Sequence, residues 1–443
     1  MGSSQAKGSG NAARPTVAVV LPGGGARGAY EIGALSVLLP ALEARGERVS
    51  VYCGTSVGAI NATTLASLAH LPVYEQVSEA LGRWRDLRKG DVIAPIAGGG
   101  GARTMLRLLA HIAGVYRVSL ASLLDPTPLR DSLDRWTDWR MLARNVERGV
   151  VDSVCVVATS LASGGPVAFV ACRDGAPGHV DEGLRYVKTR LRGEHVRASA
   201  AIPLLFPAVE ITTPRTARGH YIDGGTRLNS PIKPALHLGA ERVIVVGLEP
   251  FAAATPRASS QHEPRIADVA ANVIDGLLVD QVGNDLRRLA AINSFFADDA
   301  SSGGTSRAAR AYRLARGHRP YRPISYALVS PRRRGEIGRL ADEVFERRFS
   351  GARGLLDPDY VLLSRVLGGR TRSRGELLSF LMFDSEFTEA LIEMAQRDAE
   401  RWLRRHPGFW CRDAAHDLSV GRIDRGRVQE EEALDEFRSL HRR

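Results

Sequence analysis

Short apolar runs alternate with longer stretches of helical periodicity over the first 250 residues of this 443-residue chain. Such alternation is typical of βαβ units around a mostly parallel sheet. Helices are expected at Arg27–Leu42, Val57–Ala69 and Pro231–Leu238. The pattern therefore predicts an α/β fold. The runs that we predict as buried strands are Val17–Leu21, Val49–Cys53, Val154–Ala158, Val167–Ala171, Tyr221–Asp223 and Val243–Leu248.

The pattern changes after residue 250, which divides the chain into three predicted parts. Residues 1–15 are a polar, flexible tail, 16–250 form the α/β domain, and 251–443 form a helical C-terminal region. Residues 255–264 read as a linker, and the Ser/Gly/Arg-rich segment near 300–320 reads as mobile. Helical periodicity returns at Arg374–Phe383 and Phe387–Arg405. The second of these carries an apolar stripe that we assign first to packing on the α/β domain and second to membrane contact; its members are Phe387, Leu391, Ala395, Ala399 and Trp402.

Two glycine-framed turns follow the first two predicted strands. The first is Gly23-Gly24-Gly25-Ala26-Arg27-Gly28, and the second is Gly54-Thr55-Ser56-Val57-Gly58. Each lies between a strand and a helix. The first turn offers bare backbone N–H groups, and the second has the Gly-x-Ser-x-Gly spacing of a nucleophile elbow, with Ser56 at a helix N-terminus. A serine beside backbone N–H donors is the minimum equipment for acyl transfer.

The first turn also fits the Gly-x-Gly-x-x-Gly spacing of a dinucleotide site. That site would need an acidic residue at the end of the next strand, where this chain has Cys53-Gly54-Thr55-Ser56. A phosphate-binding loop would need Gly-Lys-Ser/Thr, which is also missing. Nucleotide binding is therefore the weaker interpretation.

Ser56 needs a base, and two residue types compete for that role. A hydrolase triad would use a later histidine, but none stands in an obvious glycine-rich strand end. Asp223 does, in Tyr221-Ile222-Asp223-Gly224-Gly225, and strand alternation sends the neighbouring His220 to the opposite face. Asp223 is therefore the candidate base. The downstream histidines considered are His179, His195, His220, His237 and His262.

Composition gives little information about the partners and the location of the protein. The formal charge of +11 suits anionic phospholipid or nucleic acid, but arginine is scattered along the chain, so charge alone selects neither. Four cysteines do not form a disulfide framework, and no pair has metal-ligand spacing. We see no signal peptide and no apolar stretch near the ~20 residues of a membrane span. We therefore expect a cytoplasmic protein whose membrane contact, if any, is peripheral; Met105–Ile112 could cover the site, rest on lipid or pack on the core.

The three motifs, in this order and on these elements, resemble the patatin-like phospholipases. Arg197-Ala198-Ser199-Ala200-Ala201-Ile202-Pro203 is similar to the Ala-Ser-x-Ala-x-Pro block of that family, and the resemblance covers about residues 16–249. It implies a three-layer α/β/α, modified α/β-hydrolase-like fold with a mostly parallel central sheet and a helical C-terminal extension. Residues 16–250 would then be the catalytic domain.

The resemblance also implies roles for individual residues. Ser56 is the nucleophile, Asp223 takes its proton directly, and no histidine takes part. The N–H groups of Gly23, Gly24 and Gly25 form the oxyanion hole, and Arg27 orients that loop or attracts anionic substrate. The supporting residues are Arg27, Gly28, Gly54, Gly58, Gly224 and Gly225, the last at a position where many members have Ala.

The function implied is a serine lipid acyl hydrolase acting on phospholipid or other acyl esters, with no cofactor, no metal and no nucleic-acid partner. Its oligomeric state is left open. The alternatives are an acyltransferase or thioesterase with the same dyad, or a lipid-binding protein without activity. Headgroup, chain length and ester position are not predicted.

Overall fold

The computed structural model describes residues 15–94, 125–173, 175, 183–203, 205–250, 314–315, 324–349 and 372–411. Several predictions fall outside these ranges: the tail before residue 15, the apolar segment Met105–Ile112, the linker at 255–264 and nearly all of 300–320. The described residues are enough to define the sheet, the helices that flank it and the surroundings of both glycine turns.

A central nine-stranded sheet is the core of the fold. The strand order is β5-β4-β3-β2-β1-β8-β9, and β7 pairs with β3 and β6. The pairs β1–β2, β2–β3, β1–β8, β8–β9 and β4–β5 are parallel, while β3–β4, β3–β7 and β6–β7 are antiparallel. The strands are β1 (Val17–Leu21), β2 (Val49–Thr55), β3 (Ser153–Ser160), β4 (Pro166–Cys172), β5 (Arg185–Lys188), β6 (Val209–Ile211), β7 (Gly219–Asp223), β8 (Arg242–Val246) and β9 (Ser325–Val329).

All six predicted strands are confirmed. Five are runs of mostly buried apolar residues, whereas in β7 only Tyr221 and Asp223 are buried. Three short strands were not predicted. β5 is half exposed with charged ends, β6 has three residues, and β9 lies beyond the expected end of the α/β domain. The mostly parallel sheet is confirmed, with β4 and β7 as its antiparallel departures.

Helices flank the sheet, which gives the three-layer α/β/α architecture. The five predicted helices are present within one or two residues of their expected bounds, and α3 to α6 and α8 are additional. The helices are α1 (Gly28–Glu43), α2 (Val57–Leu68), α3 (Val73–Asp86), α4 (Thr127–Trp136), α5 (Trp139–Glu147), α6 (Gly193–Ser199), α7 (Ile232–His237), α8 (Glu336–Phe349), α9 (Arg372–Leu381) and α10 (Ser385–Arg405).

The C-terminal helix α10 packs directly on α1. A Cβ added at Gly33 would lie 2.8 Å from the backbone of Ile392, so the two helices approach closely at that point. The Tyr30 hydroxyl donates to Asp398 at 2.7 Å across the same interface. All five members of the predicted apolar stripe are buried. The stripe is therefore a core face, and its second interpretation as a membrane-binding face is wrong.

β9 joins the sheet beside β8, so the C-terminal region contributes to the same core as residues 16–250. The domain boundary near residue 250 stays a prediction. None of the described helices combines the length and the hydropathy needed to cross a membrane.

Candidate active site

The turn at Ser56 has the backbone of a nucleophile elbow. Ser56 has φ 54° and ψ −123°, a conformation that side chains rarely adopt and that is found at strained functional turns. Gly54 and Gly58 permit it: an added Cβ would lie 2.1 Å from the Gly58 oxygen and 2.1 Å from the Leu21 oxygen, respectively. β2 therefore ends in a sharp turn that presents Ser56 at the start of α2.

Ser199 holds this turn from the other side. The Ser56 N–H donates to Ser199 Oγ at 2.8 Å, and the Ser199 hydroxyl donates to the Val157 carbonyl at 2.5 Å. Both serines are buried. Sequence reasoning noted the block around Ser199 but gave this residue no role.

Sheet register brings Asp223 to Ser56. Thr55 pairs with Val157 on one side of β3, and Asp223 pairs with Ala158, one position further along the same strand. β7 thus begins its pairing where β2 stops. The carboxylate at the end of β7 consequently lies next to the serine that follows β2.

Asp223 is fully buried. Its Oδ1 accepts the Gly225 N–H at 2.7 Å. Burial raises the pKa of the carboxyl to about 7, while the Ser56 hydroxyl and the Gly225 N–H oppose that rise by hydrogen bonding. A carboxyl with a pKa near 7 is a far better base for a serine than an ordinary aspartate, whose pKa is about 3.9.

Ser56 and Asp223 are neighbours that share no hydrogen bond of standard geometry. The Ser56 hydroxyl is near enough to lower the pKa of the carboxyl, yet Asp223 Oδ2 has no hydrogen bond of standard geometry within the described residues. Catalytic hydrogen bonds are often long until substrate is bound. The Ser56 hydroxyl and the Asp223 carboxyl are therefore neighbours.

The Asp-Gly-Gly turn locks this arrangement by close backbone packing. A Cβ at Gly224 would lie 2.2 Å from the Val157 oxygen, so only glycine fits there. Farther along the same segment, the Leu228 carbonyl accepts the Thr55 hydroxyl at 3.0 Å, and Asn229 Oδ1 accepts the Gly23 N–H at 2.9 Å. Residues 223–230 therefore contact both glycine turns.

The first glycine turn lies against the serine, but its three N–H groups are not equivalent. The Gly23 N–H is bonded to Asn229, which corrects the expectation that all three glycines offer free donors. The N–H groups of Gly24 and Gly25, and that of Val57 at the start of α2, have no acceptor among the described residues. These three are the donors that an oxyanion could use.

Arg27 does not face the site. Its side chain is fully buried and bonded to residues of α9. The expectation that it attracts anionic substrate is therefore wrong, because a buried and paired guanidinium is not accessible to one. The contacts favour the other expectation, that Arg27 orients the loop.

A second buried network supports the helix that follows the first turn. Asn61 donates to the Gly28 carbonyl at 3.0 Å and to Glu31 at 2.8 Å, and it accepts the Trp84 indole N–H at 2.9 Å. Burial raises the pKa of the Glu31 carboxyl well above its ordinary value, and the hydrogen bond from Asn61 opposes that rise. A Cβ at Gly28 would lie 2.3 Å from Val57, which explains the need for glycine.

Ser56 opens into an apolar cleft whose space, counted with the solvent at its mouth, is about 590 Å³. Its walls come from α2, α3, α4, the segment after α6, and the end of α9 with the residues just after it. Apart from Ser56, Ser132 and Gly25, the lining is apolar: Val57, Ile60, Trp84, Leu87, Val92, Leu129, Leu133, Trp136, Ala200, Ile202, Phe206, Phe380, Leu381 and Phe383.

No histidine among the described residues contacts the dyad. His220 is exposed, His237 bonds to the Tyr186 hydroxyl at 2.8 Å, and buried His195 packs on Phe169. His179 and His262 lie outside the described residues. The described part of the chain also has no cluster of His, Cys, Asp and Glu that could hold a metal ion.

Comparisons with known proteins agree with the predicted family. A family model described as patatin-like phospholipase matches residues 19–236. No curated protein matches the chain. Two solved structures are similar: VipD from Legionella pneumophila, at 16% identity and TM-score 0.29 over 72% of this chain and 61% of that one, and human GIVD cytosolic phospholipase A2 in complex with methyl gamma-linolenyl fluorophosphonate, at 10% identity and TM-score 0.31 over 88% and 60%.

This chain therefore spans about three fifths of the length of either structure. The family assignment rests on the sequence match alone: residues 19–236 form a patatin-like phospholipase domain.

Proposed function

We propose that this protein is a serine lipid acyl hydrolase that releases fatty acids from phospholipids or related acyl esters. One observation carries the proposal: Ser56, on a strained turn, lies between a buried carboxyl with a pKa of about 7 and the cleft whose walls are apolar. The family match supports the class of reaction.

In the first half-reaction, Asp223 takes the Ser56 proton as Oγ attacks the ester carbonyl carbon. The carbonyl oxygen becomes an oxyanion, for which Gly24, Gly25 and Val57 are the proposed donors. Loss of one such donor typically lowers turnover by roughly 10²–10³-fold. The intermediate then collapses, the ester C–O bond breaks, and the proton passes from Asp223 to the leaving alcohol.

In the second half-reaction, water attacks the acyl-enzyme. Asp223 accepts a proton from that water, a second oxyanion forms in the same place, and its collapse releases the fatty acid and returns the proton to Ser56 Oγ. The base acts twice and is regenerated, so the cycle needs no further proton carrier.

The cleft indicates which part of the substrate it binds. Its described walls contain neither Lys nor Arg, so it suits an acyl chain better than a phosphate group. The same composition disfavours nucleotide binding at the first turn. We propose that a phospholipid headgroup stays at the surface, where the net charge of +11 favours adsorption to anionic lipid.

Acyl transfer to an alcohol or cleavage of a thioester would use the same two half-reactions. Only the acceptor or the leaving group differs, so product analysis with an added alcohol acceptor separates these reactions from hydrolysis. A lipid-binding protein without activity would keep the cleft but leave Ser56 unreactive toward a fluorophosphonate.

The proposal is tested by measuring fatty-acid release from phospholipid vesicles and p-nitrophenyl esters. Wild type should be active, and Ser56→Ala and Asp223→Asn should each lose activity by several orders of magnitude while keeping their fold. Fluorophosphonate should label wild type at Ser56. Wild-type rates in both variants would refute the proposal.

A further inference from the structure

Helix α9 lies outside the residues that the family model matches, yet it contacts the first glycine turn. We propose that Glu376 on this helix is a positioning residue that holds the oxyanion turn in its reactive shape through Arg27. The inference rests on the proposed function, because it concerns how that function's oxyanion donors are held.

Arg27 is the link between the turn and the helix. Its Nη2 donates to Glu376 Oε2 at 2.6 Å and to the Glu376 carbonyl at 2.8 Å, and its Nε donates to Ser379 Oγ at 2.6 Å. The guanidinium also lies 4.1 Å from the centre of the Phe380 ring. Nearly all the close partners of this buried cation therefore come from one turn of α9.

The same stretch of α9 contacts Gly25 directly. Gly25 has φ +58°, and a Cβ added there would lie 2.2 Å from the Phe380 carbonyl oxygen. Gly25 is one of the proposed oxyanion donors and lines the cleft with Ser56. A shift of α9 would therefore shift the backbone that carries this donor.

Helix α9 is itself tightly held. A Cβ at Gly375 would lie 2.4 Å from the Gly338 carbonyl, so α9 and α8 approach through their glycines. Glu376 Oε1 lies 2.5 Å from the position of an added Cβ at Gly338. The Glu376 carboxylate is therefore held between α8 and Arg27. A positioning residue needs such a fixed location.

Charge explains why a carboxylate is required at position 376. A buried guanidinium needs an anionic partner, since an unpaired buried charge is costly. In the described part of the chain, the other carboxylate near Arg27 is that of Glu249, with Oε1 3.9 Å from Nη1, beyond hydrogen-bond distance. Removal of the Glu376 charge should therefore make Arg27 move toward Glu249 or water and carry the turn with it.

The chain offers a matched control for the test. Arg85 on α3 makes a two-pronged salt bridge with Glu389 on α10, with both distances 2.8 Å. This pair also ties the C-terminal region to the family domain, but it is exposed and does not touch the turn. Glu389→Gln removes a comparable tie without disturbing the oxyanion donors.

The experiment compares wild type, Glu376→Gln and Glu389→Gln in hydrolysis of a p-nitrophenyl ester, with kcat expressed per active site titrated by fluorophosphonate. A trifluoromethyl ketone with the same acyl chain reports the oxyanion site, because its adduct with Ser56 Oγ carries the oxyanion. Circular dichroism and the melting temperature report folding.

We expect Glu376→Gln to lower kcat about 10- to 100-fold and to weaken ketone binding by a similar factor, with KM changed less than about threefold. Glu389→Gln should match wild type in kcat, ketone affinity and KM. If Glu376→Gln does not fold, Ser379→Ala removes the Nε acceptor more gently and should lower kcat and ketone affinity together.

A folded Glu376→Gln variant with wild-type kcat and ketone affinity overturns the inference. If Glu376→Gln does not fold, a Ser379→Ala variant with wild-type kcat and ketone affinity overturns it in the same way. If Glu376→Gln lowers the melting temperature but changes neither kcat nor ketone affinity, Glu376 only stabilises the fold, and the inference is also overturned. If wild type neither hydrolyses esters nor binds the ketone, the proposed function fails first and this inference fails with it.

Discussion

The Ser199 hydroxyl accepts the backbone N–H of Ser56 at 2.8 Å, although the two serines are 143 positions apart in the chain. This N–H belongs to the residue with the strained backbone, and the same hydroxyl is anchored to Val157 on β3. Ser199 thus connects the proposed nucleophile to the sheet. The strain at Ser56 is supported from outside its own turn.

Ser199→Ala should lower kcat by about tenfold. Without the hydroxyl, a buried N–H is left without an acceptor at a cost of about 1–3 kcal/mol, and Ser56 can relax away from Asp223. Steady-state kinetics on a p-nitrophenyl ester measures the effect. Ser67→Ala is the control, because Ser67 is also buried but its hydroxyl donates only to the Thr64 carbonyl of the same helix. Equal kcat in both variants would contradict a role for Ser199 in holding the turn.

Activity should rise with pH through the pKa of Asp223. The proposed base works only as a carboxylate, and burial raises the pKa of Asp223 to about 7. We therefore expect kcat/KM for an uncharged ester to be low at pH 5, half-maximal near pH 7 and constant above pH 8. A profile that is flat from pH 5 to pH 9 would argue against Asp223 as the base.

The same carboxyl should make stability depend on pH. The pKa of Asp223 is about 7 in the folded protein and 3.8 in the reference state, so the folded state binds the proton more tightly between these values. Its contribution to stability is therefore full below about pH 4 and is lost as pH rises to about 7, at up to about 1.4 kcal/mol per pH unit. Relative to wild type, Asp223→Asn should gain stability as pH rises from 4 to 8, measured by urea unfolding. A difference that does not change with pH would show that Asp223 keeps an ordinary pKa.

Much of the sheet could be predicted from the sequence because local signals define it. Val17–Leu21 and the strand before Ser56 are apolar runs that end in glycine turns, and the Gly-x-Ser-x-Gly spacing itself requires a sharp turn. The pairing of Asp223 with Ala158 depends on the register of β7 against β3, which no local pattern encodes.

The supporting contacts could not be predicted for the same reason. Arg27 and Glu376 are 349 positions apart, and Gly23 and Asn229 are 206 positions apart. Their residue types are common on any surface. Only the folded chain shows that the buried Arg27 side chain connects the first glycine turn to α9, and that the Gly23 N–H donates to Asn229.

The width of the apolar cleft should set the preferred acyl chain. Leu133 on α4 lines the cleft and is buried, so Leu133→Phe adds volume where we place the chain. A small change in a hydrophobic pocket is worth about 1–3 kcal/mol, or 10- to 200-fold in discrimination. We expect kcat/KM for a palmitoyl ester to fall at least tenfold more than kcat/KM for a butyryl ester.

Leu142→Phe on the neighbouring helix α5 separates this effect from general overpacking. Leu142 is as buried as Leu133 but does not line the cleft, so its substitution carries the same cost of about 1–3 kcal/mol in packing without narrowing the cleft. It should lower the melting temperature and leave the ratio of the two kcat/KM values unchanged. If Leu133→Phe slows hydrolysis of both esters equally, the acyl chain binds elsewhere. A narrowing at Leu133 would hinder a long chain that reaches this residue more than a short one.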